Sequence, residues 1–235
     1  MFKPLRAFFR HYRQLAVIAS LIFATLVCVG LLVLRVAYAH NSHYVWLMWN
    51  LFLAWLPAGS AVVAYNLQKR HSRLSWLLIS ACAVAWFFFL PNAPYLVTDM
   101  LHLHAQADAP LWYDLLLLLA FAWTGFFLGL VSLLLMQEIV RRLAGTVAGW
   151  VFALVMLGLS SFGIYLGRFL RWNSWDVLFN PLRLLVDVAG PIIHPRSHPQ
   201  TVVFSVLFAF FLVAMYLTLA AVMNFQHEGR QGEAK

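Results

Sequence analysis

The chain has 235 residues, of which 63% are hydrophobic and only 10% are charged. Soluble domains are roughly half apolar and a quarter charged, so this composition excludes an ordinary soluble domain and is typical of an integral membrane protein. The net charge of +8 is divided among short segments between apolar blocks, which argues against a nucleic-acid-binding surface. The only two cysteines, Cys28 and Cys82, lie inside apolar blocks, so neither a disulfide framework nor a zinc signature can be built from them.

Six apolar blocks, each about as long as a bilayer is thick, follow one another along the chain. A transmembrane helix needs roughly 20 mostly apolar residues. The blocks are 15–38, 44–66, 74–96, 111–136, 146–169 and 201–224. The sequence therefore predicts an all-α integral membrane bundle of six transmembrane helices over 15–224, between a basic N-terminal segment, 1–14, and a C-terminal tail, 225–235.

Basic residues flank these blocks unevenly. If the blocks alternate in direction, 11 of the 16 lysines and arginines fall on the side that holds both termini. The positive-inside rule places that side, with the segments 1–14 and 225–235, in the cytoplasm. Ala37-Tyr38-Ala39 resembles a signal-peptidase site. The first block is longer than the roughly 7–15 residues of a signal peptide, however, so we expect an uncleaved first helix, with Arg35 extending outward to the membrane surface.

The third block should end in a bend, because Pro91 and Pro94 each remove a backbone donor. Asn92 is suited to cap a short restarted helix, on which Tyr95, Asp99 and His102 share one face at spacings of i, i+4 and i+7. We predict that this segment, 91–104, carries polar side chains at the outer membrane surface.

Small residues four apart mark packing faces in the fourth and fifth helices. Gly125 and Gly129 lie in one, and Gly163 and Gly167 in the other. Such pairs allow helices to approach closely. Tight packing within the chain is the interpretation we favour, with a homo-oligomer or a partner membrane protein docked on these faces as the alternative.

The outer link between the fifth and sixth blocks predicts a short amphipathic helix. Asp187 and Arg183 lie on one side of it and leucines and valines on much of the other. Asn180-Pro181 is typical of a helix start and Gly190-Pro191 of a stop, so we predict a helix over about 181–189, lying in the membrane interface.

Polar and ionisable residues cluster at the outer ends of helices three, four and five. Such groups are costly at membrane depth unless they are paired or hydrated, which makes them functional candidates. The candidates are Asn92, Tyr95, Asp99, His102, His104, Asp114, Arg168, Arg171, Asn173, Ser174 and Asp176.

Three uses of this cluster stay open at this point. Arg168 and Arg171, three residues apart, can hold the phosphate of a membrane lipid, with Asn173 and Ser174 adding donors. In a structural use, Asp99 or Asp114 pairs with Arg168 and fixes the helix ends.

A divalent metal is the third use of the cluster. Asp99, His102 and Asp114 offer oxygen and imidazole ligands, with His104 or Asp176 as further candidates, although no established metal motif is present. If the site is catalytic, His102 or one of the aspartates would act as acid or base. The residues alone do not decide whether the protein is an enzyme.

Three stretches resemble a known family. "FLPNAPYLVTDMLHL" (89–103), "WYD" (112–114) and "FGIYLGRFLRWNSWD" (162–176) are similar to motifs of a bacterial family of multi-pass membrane proteins catalogued as domain of unknown function 1361. The resemblance runs from about the second helix to the sixth. It implies a protein of the bacterial inner membrane and adds no reaction.

The function that we favour from these patterns is a protein that binds or processes an anionic, phosphate-bearing amphiphile at its extracytoplasmic face. A small transporter or channel is one alternative, weakened because the helix interiors carry no carboxylate or lysine near mid-membrane. A non-enzymatic assembly or scaffold subunit of a membrane complex is the other. No nucleic-acid partner is expected.

Overall fold

The computed structural model describes residues 3–68, 72–104, 108–172 and 176–232, and these residues are helical or lie in short connections. No β-strand occurs in these ranges. The helices are α1 (Lys3–Ala39), α2 (Trp46–Leu67), α3 (Arg73–Phe89), α4 (Asn92–Thr98), α5 (Leu111–Phe169), α6 (Asp176–Phe179), α7 (Pro181–Ile193) and α8 (Pro199–Gly232), with 3-10 turns at Asp99–His102 and Pro195–Ser197.

Five stretches of the described chain are long and apolar enough to cross a membrane. They are Leu15–Ala39, Trp46–Leu67, Arg73–His102, Leu111–Phe169 and Pro199–Met223. In the most apolar windows of the first and last stretches, only 17% and 11% of the residues are buried within the protein. Exposed apolar surface of that extent needs an apolar solvent, so the fold is that of a helical membrane protein.

Helix α5 doubles back on itself at Gly145. The backbone there has φ 91° and ψ 172°, a left-handed conformation that glycine adopts without steric cost. A Cβ placed on Gly149 would lie 3.2 Å from the Cβ of Arg141, whereas residues eight apart on a straight helix are separated by about 12 Å along the axis. The element therefore consists of two antiparallel arms, 111–144 and 146–169, which correspond to the fourth and fifth predicted blocks.

This reversal defines two ends of the bundle. The Gly145 end contains the turn between the arms of α5. The Asp99 end contains the connection from α1 to α2, the turn Asp99–His102, and the start and finish of α5. One apolar cluster joins α2, α3, both arms of α5 and α8, and a second joins α1, α2, α4 and the first arm. These two clusters hold the helices whose ends meet at the Asp99 end.

The interruption between α3 and α4 falls where the two prolines predicted it. Asn92, however, does not cap α4 with its side-chain oxygen. It is the first residue of α4. Its side-chain Nδ2 donates a hydrogen bond of 3.2 Å to the carbonyl oxygen of Phe89, the last residue of α3. The amide thus satisfies a backbone carbonyl that the helix break would otherwise leave without a donor.

Helix α4 packs between the two arms of α5, on their glycine faces. A Cβ on Gly125 would lie 2.5 Å from Leu96 Cδ1, and one on Gly163 would lie 2.8 Å from Pro91 Cγ. Gly129 meets Ala93 and Pro94 in the same way, and Gly167 meets the ring of Tyr95. All four glycines therefore make close contacts inside the chain, which bring α4 and the turn after it against both arms.

The amphipathic helix begins at Pro181 as predicted, but it ends later than predicted. It continues through Gly190 and Pro191 to Ile193, and the amide of His194 closes the last turn by donating to the carbonyl of Gly190 at 2.8 Å. A proline in the last turn removes only one donor, and the following residues can keep helical dihedrals. The expected stop at Gly190-Pro191 was wrong for this reason.

Candidate functional site

A buried ion pair lies at the Asp99 end of the bundle, between the turn after α4 and the last turn of the second arm of α5. Arg168 Nη2 donates to Asp99 Oδ1. The Asp99 side chain is 0% exposed and that of Arg168 is 10% exposed. Asn50 of α2 donates from Nδ2 to the other carboxylate oxygen at 3.0 Å, so both oxygens of Asp99 have a donor. This pair joins three helices, and Asn50 makes the interhelical bond expected of an amide inside a membrane bundle.

Arg168 is held on several sides. Its Nε donates to Thr98 Oγ1 at 2.8 Å, and its Nη1 lies 3.4 Å from His102 Nδ1. The guanidinium carbon lies 4.3 Å from the centroid of the Tyr95 ring, a cation–π contact. The charge of Arg168 is therefore offset by Asp99, and its orientation is fixed by its neighbours. This arrangement is the structural use that the sequence left open for Arg168.

A second buried ion pair lies at the same end of the bundle. Arg35 donates to Asp114 through Nε to Oδ1 at 2.6 Å and through Nη2 to Oδ2 at 3.3 Å. Asp108 lies 3.6 Å from Arg35 Nη2 and accepts a hydrogen bond from the Nδ2 of Asn41. The ring of Tyr44 lies 5.7 Å from the Arg35 guanidinium, and burial raises the pKa of its phenol.

Arg35 was expected to extend to the membrane surface, and that expectation was wrong. The side chain is 1% exposed, as is that of Asp114. The carboxylate of Asp114 compensates the arginine inside the bundle, and the bidentate geometry favours pairing over exposure. Asp114 consequently belongs to this pair and makes no contact with Arg168.

An open cleft lies beside the Asp99–Arg168 pair. It has a volume of about 510 Å³ and is lined by Tyr95, Leu101, His102, Gly167, Arg168 and Arg171. Its walls combine cationic and aromatic groups with the side chain of Leu101, which is 68% exposed. The cleft can therefore accommodate a ligand that is anionic at one end and apolar at the other.

Arg171 differs from Arg35 and Arg168, the two paired arginines of this end. It is exposed, and within the described part of the chain its guanidinium makes no ion pair or hydrogen bond. Its backbone has φ 60°, in the left-handed region usually taken by glycine at helix ends, and the amide of Trp172 donates 3.1 Å to the Leu166 carbonyl across this turn. A bulky residue in this conformation costs roughly 1–2 kcal/mol, and such outliers cluster at functional sites.

The remaining predicted site residues are distributed as follows. His104 does not line the cleft; its Nδ1 lies 2.6 Å from the carbonyl oxygen of His102, and its ring lies 5.6 Å from that of His43. Asp176 begins α6. Asn173 and Ser174 lie outside the described residues. Asn92 forms its hydrogen bond at the break between α3 and α4 and does not line the cleft.

The donor set for a metal does not assemble among the described residues. No group of three or more histidine, cysteine, aspartate or glutamate side chains lies close enough together there to hold an ion. Asp99 is bonded to Asn50 and an arginine, and Asp114 is bonded to Arg35. The groups of the cleft that can exchange a proton with a ligand are His102 and the Tyr95 phenol.

The residues at these ion pairs that were missed from the sequence include Thr98, Arg35 and Asp108. Thr98 accepts a hydrogen bond from Arg168 and lies one residue before Asp99. In the sequence it looks like any other threonine in a helix. Arg35 lies near the end of α1, where the sequence favoured an exposed side chain. The available signal was that a lone arginine at the end of an apolar helix shares its membrane depth with Asp114 at the start of α5.

These features define a class: a helical membrane protein with two buried arginine–aspartate pairs and an open basic cleft at one end of its bundle. The family model "Protein of unknown function (DUF1361)" matches residues 49–215, well over half of the chain, and the protein belongs to this family. The resemblance of the three sequence stretches is thereby confirmed. No curated protein and no solved structure matches the chain.

Proposed function

We propose that the chain is a six-helix integral membrane protein whose cleft binds the phosphate-bearing head group of an anionic amphiphile. In this proposal each arm of α5 crosses the membrane once, both termini lie in the cytoplasm, and the Asp99 end faces the extracytoplasmic side. The basic residues of 1–14 and the other basic segments on that side support this orientation. Location in a bacterial inner membrane, which the resemblance of the three sequence stretches implies, is part of this proposal.

The observation that carries the binding proposal is the exposed guanidinium of Arg171 in an open cleft, where none of the described residues forms an ion pair or hydrogen bond with it. Arginine presents planar paired donors that match two oxygens of a phosphate. Arg168 is offset by Asp99, so the cleft gains its net positive charge from Arg171 when histidine is counted as neutral. His102 and Tyr95 add hydrogen-bonding groups, and Leu101 adds apolar surface beside them.

The experiment measures the lipids that the purified protein retains. The full chain is reconstituted in nanodiscs of equal parts phosphatidylcholine and phosphatidylglycerol. Native mass spectrometry then releases the protein from the nanodisc and measures the lipids that stay bound to it. Arg171→Gln should lower retained phosphatidylglycerol by about fivefold, the effect of losing one partly exposed charged contact. Arg196→Gln, which removes an exposed arginine from the turn Pro195–Ser197, is the matched control. Equal retention by the native chain and Arg171→Gln rejects the proposal.

A further inference from the structure

Helix α7 presents an apolar face that the described part of the protein leaves uncovered. Leu182, Leu185, Val186 and Ile193 are 78%, 61%, 70% and 65% exposed. Their spacing of i, i+3, i+4 and i+11 puts them on one side of the helix. Leu184 and Val188, on the opposite side, are less exposed. The face is therefore a continuous stripe and not a scatter of single residues.

The polar flank of α7 is attached to the rim of the cleft. Trp172 Nε1 donates to Asp187 Oδ2 at 3.0 Å, and the guanidinium of Arg183 lies 5.9 Å from the Trp172 ring. Trp172 follows Arg171 directly in the chain. The position of α7 is therefore coupled to the backbone that presents Arg171.

The location of α7 indicates what covers its apolar stripe. The helix lies between the second arm of α5 and α8, both of which belong to membrane-span candidates. It packs against α6 and the turn Pro195–Ser197, its neighbours in sequence. Its 13 residues are too few to cross a bilayer, which takes roughly 20. A short amphipathic helix joined to a membrane span lies in the interface, with its apolar side in the acyl-chain boundary.

We infer that α7 lies in the extracytoplasmic leaflet and that the cleft takes its ligand sideways from that leaflet, so the ligand is a membrane lipid and not a soluble phosphate compound. This inference rests on the proposed function. With its stripe among acyl chains, α7 holds Trp172, and with it Arg171, near the depth of the lipid phosphates. A lipid then reaches the guanidinium without leaving the membrane, and its chains stay in the bilayer beside Leu101.

The depth of α7 is measured with spin labels on single cysteines. The background carries Cys28→Ala and Cys82→Ala, and the labelled positions are 182, 185 and 186, with 183 and 196 for comparison. In nanodiscs, labels at 182, 185 and 186 should collide preferentially with oxygen, and labels at 183 and 196 with a water-soluble nickel chelate. Equal access of the nickel chelate to all five positions overturns the inference.

The entry route is tested with paired substitutions. Leu185→Asn with Val186→Asn should lower retained phosphatidylglycerol by about fivefold, because the helix then leaves the acyl boundary. Leu143→Asn with Val147→Asn is the matched control, since these side chains are 58% and 77% exposed at the Gly145 end. Glycerol 3-phosphate in solution should not displace the retained lipid.

The outcomes separate the two proposals. If retention depends on Arg171 but not on 185 and 186, or if glycerol 3-phosphate displaces the lipid, the lateral route is wrong and the proposed function stands. If retention of phosphatidylglycerol does not depend on Arg171, the proposed function is wrong. The lateral route is then wrong as well, whatever depth the spin labels report.

Discussion

Arg35 and Asp114, 79 residues apart in sequence, form a bidentate ion pair with both side chains 1% exposed. The pair ties the end of α1 to the start of α5. Asp99 and Arg168 form a comparable pair between the turn after α4 and the end of α5. The Asp99 end of the bundle is thus fixed by two separate electrostatic contacts, and only the second borders the cleft.

Loss of one partner of the first pair should destabilise the protein strongly. Arg35→Met leaves Asp114 as a buried, uncompensated carboxylate, which costs about 3–5 kcal/mol. Thermal unfolding in detergent, followed by tryptophan fluorescence, should show a clearly lower midpoint. Adding Asp114→Leu to Arg35→Met should recover much of the loss, because the fully buried carboxylate is removed and the remaining one, Asp108, is 35% exposed and keeps its hydrogen bond from Asn41. A midpoint that is unchanged by Arg35→Met alone would contradict the buried pair.

The two members of the second pair should respond unequally to substitution. Arg168→Gln leaves the fully buried Asp99 without a cation, whereas Asp99→Asn leaves Arg168 beside an open cleft, where water or an anion can reach it. We expect Arg168→Gln to lower the unfolding midpoint more than Asp99→Asn. The same thermal measurement compares them.

Asp99→Asn should also increase the anionic lipid that the protein retains. The substitution removes the charge that offsets Arg168, so the cleft gains a second effective positive charge. Native mass spectrometry should show more phosphatidylglycerol on Asp99→Asn than on the native chain, and unchanged phosphatidylcholine. Reduced retention by a folded Asp99→Asn protein would contradict this prediction and would indicate that Asp99 holds Arg168 in the orientation that the ligand needs.

The glycine faces of α5 allow a test of the close approach of α4. Gly125→Ala places a methyl group 2.5 Å from Leu96 Cδ1 and 2.7 Å from the backbone oxygen of Ala93, so the helices must separate. Overpacking of this kind lowers the free energy of unfolding by about 1–3 kcal/mol. We therefore expect a lower midpoint of thermal unfolding for Gly125→Ala. Gly158→Ala in the second arm is the control, since no atom lies within 4 Å of its new Cβ. Equal midpoints for the two variants would argue against the packing.

The proposed orientation can be checked by labelling single cysteines in cells. In the background without Cys28 and Cys82, Ser42→Cys and Ser197→Cys should react with a membrane-impermeant maleimide added from outside. Thr146→Cys, next to the turn at Gly145, should react only after the membrane is permeabilised. All three positions are exposed, so burial does not limit the reaction. Labelling of positions 42 and 146 from the same side would exclude two separate crossings by the arms of α5.

The all-helical, membrane-like fold could be predicted from the sequence, because apolar length and proline position are local properties. The break between α3 and α4 and the start of α7 at Pro181 were found in this way. Even the reversal at Gly145 falls between two predicted blocks. The end of α7 was misplaced because Pro191 tolerates a helical last turn.

The partners within the polar layer could be predicted only in part. Asp99 with Arg168 was one of the pairings considered, since both residues were placed at one depth. The assignment of Asp114 to Arg35 was missed because helix neighbours in space depend on packing that the pattern of one chain does not encode. The sequence grouped Asp114 with the cleft residues, whereas the geometry joins it to the first helix.

The two ion pairs also bear on how the chain is assembled as it leaves the ribosome. Arg35 is synthesised 79 residues before Asp114, and Asp99 is synthesised 69 residues before Arg168. Each early charge therefore enters the membrane region without its counterion, and must stay hydrated or in the translocation machinery until the later helix arrives. The second arm of α5 completes this end of the protein, so a nascent chain that stops before it carries a carboxylate with no cation to neutralise it.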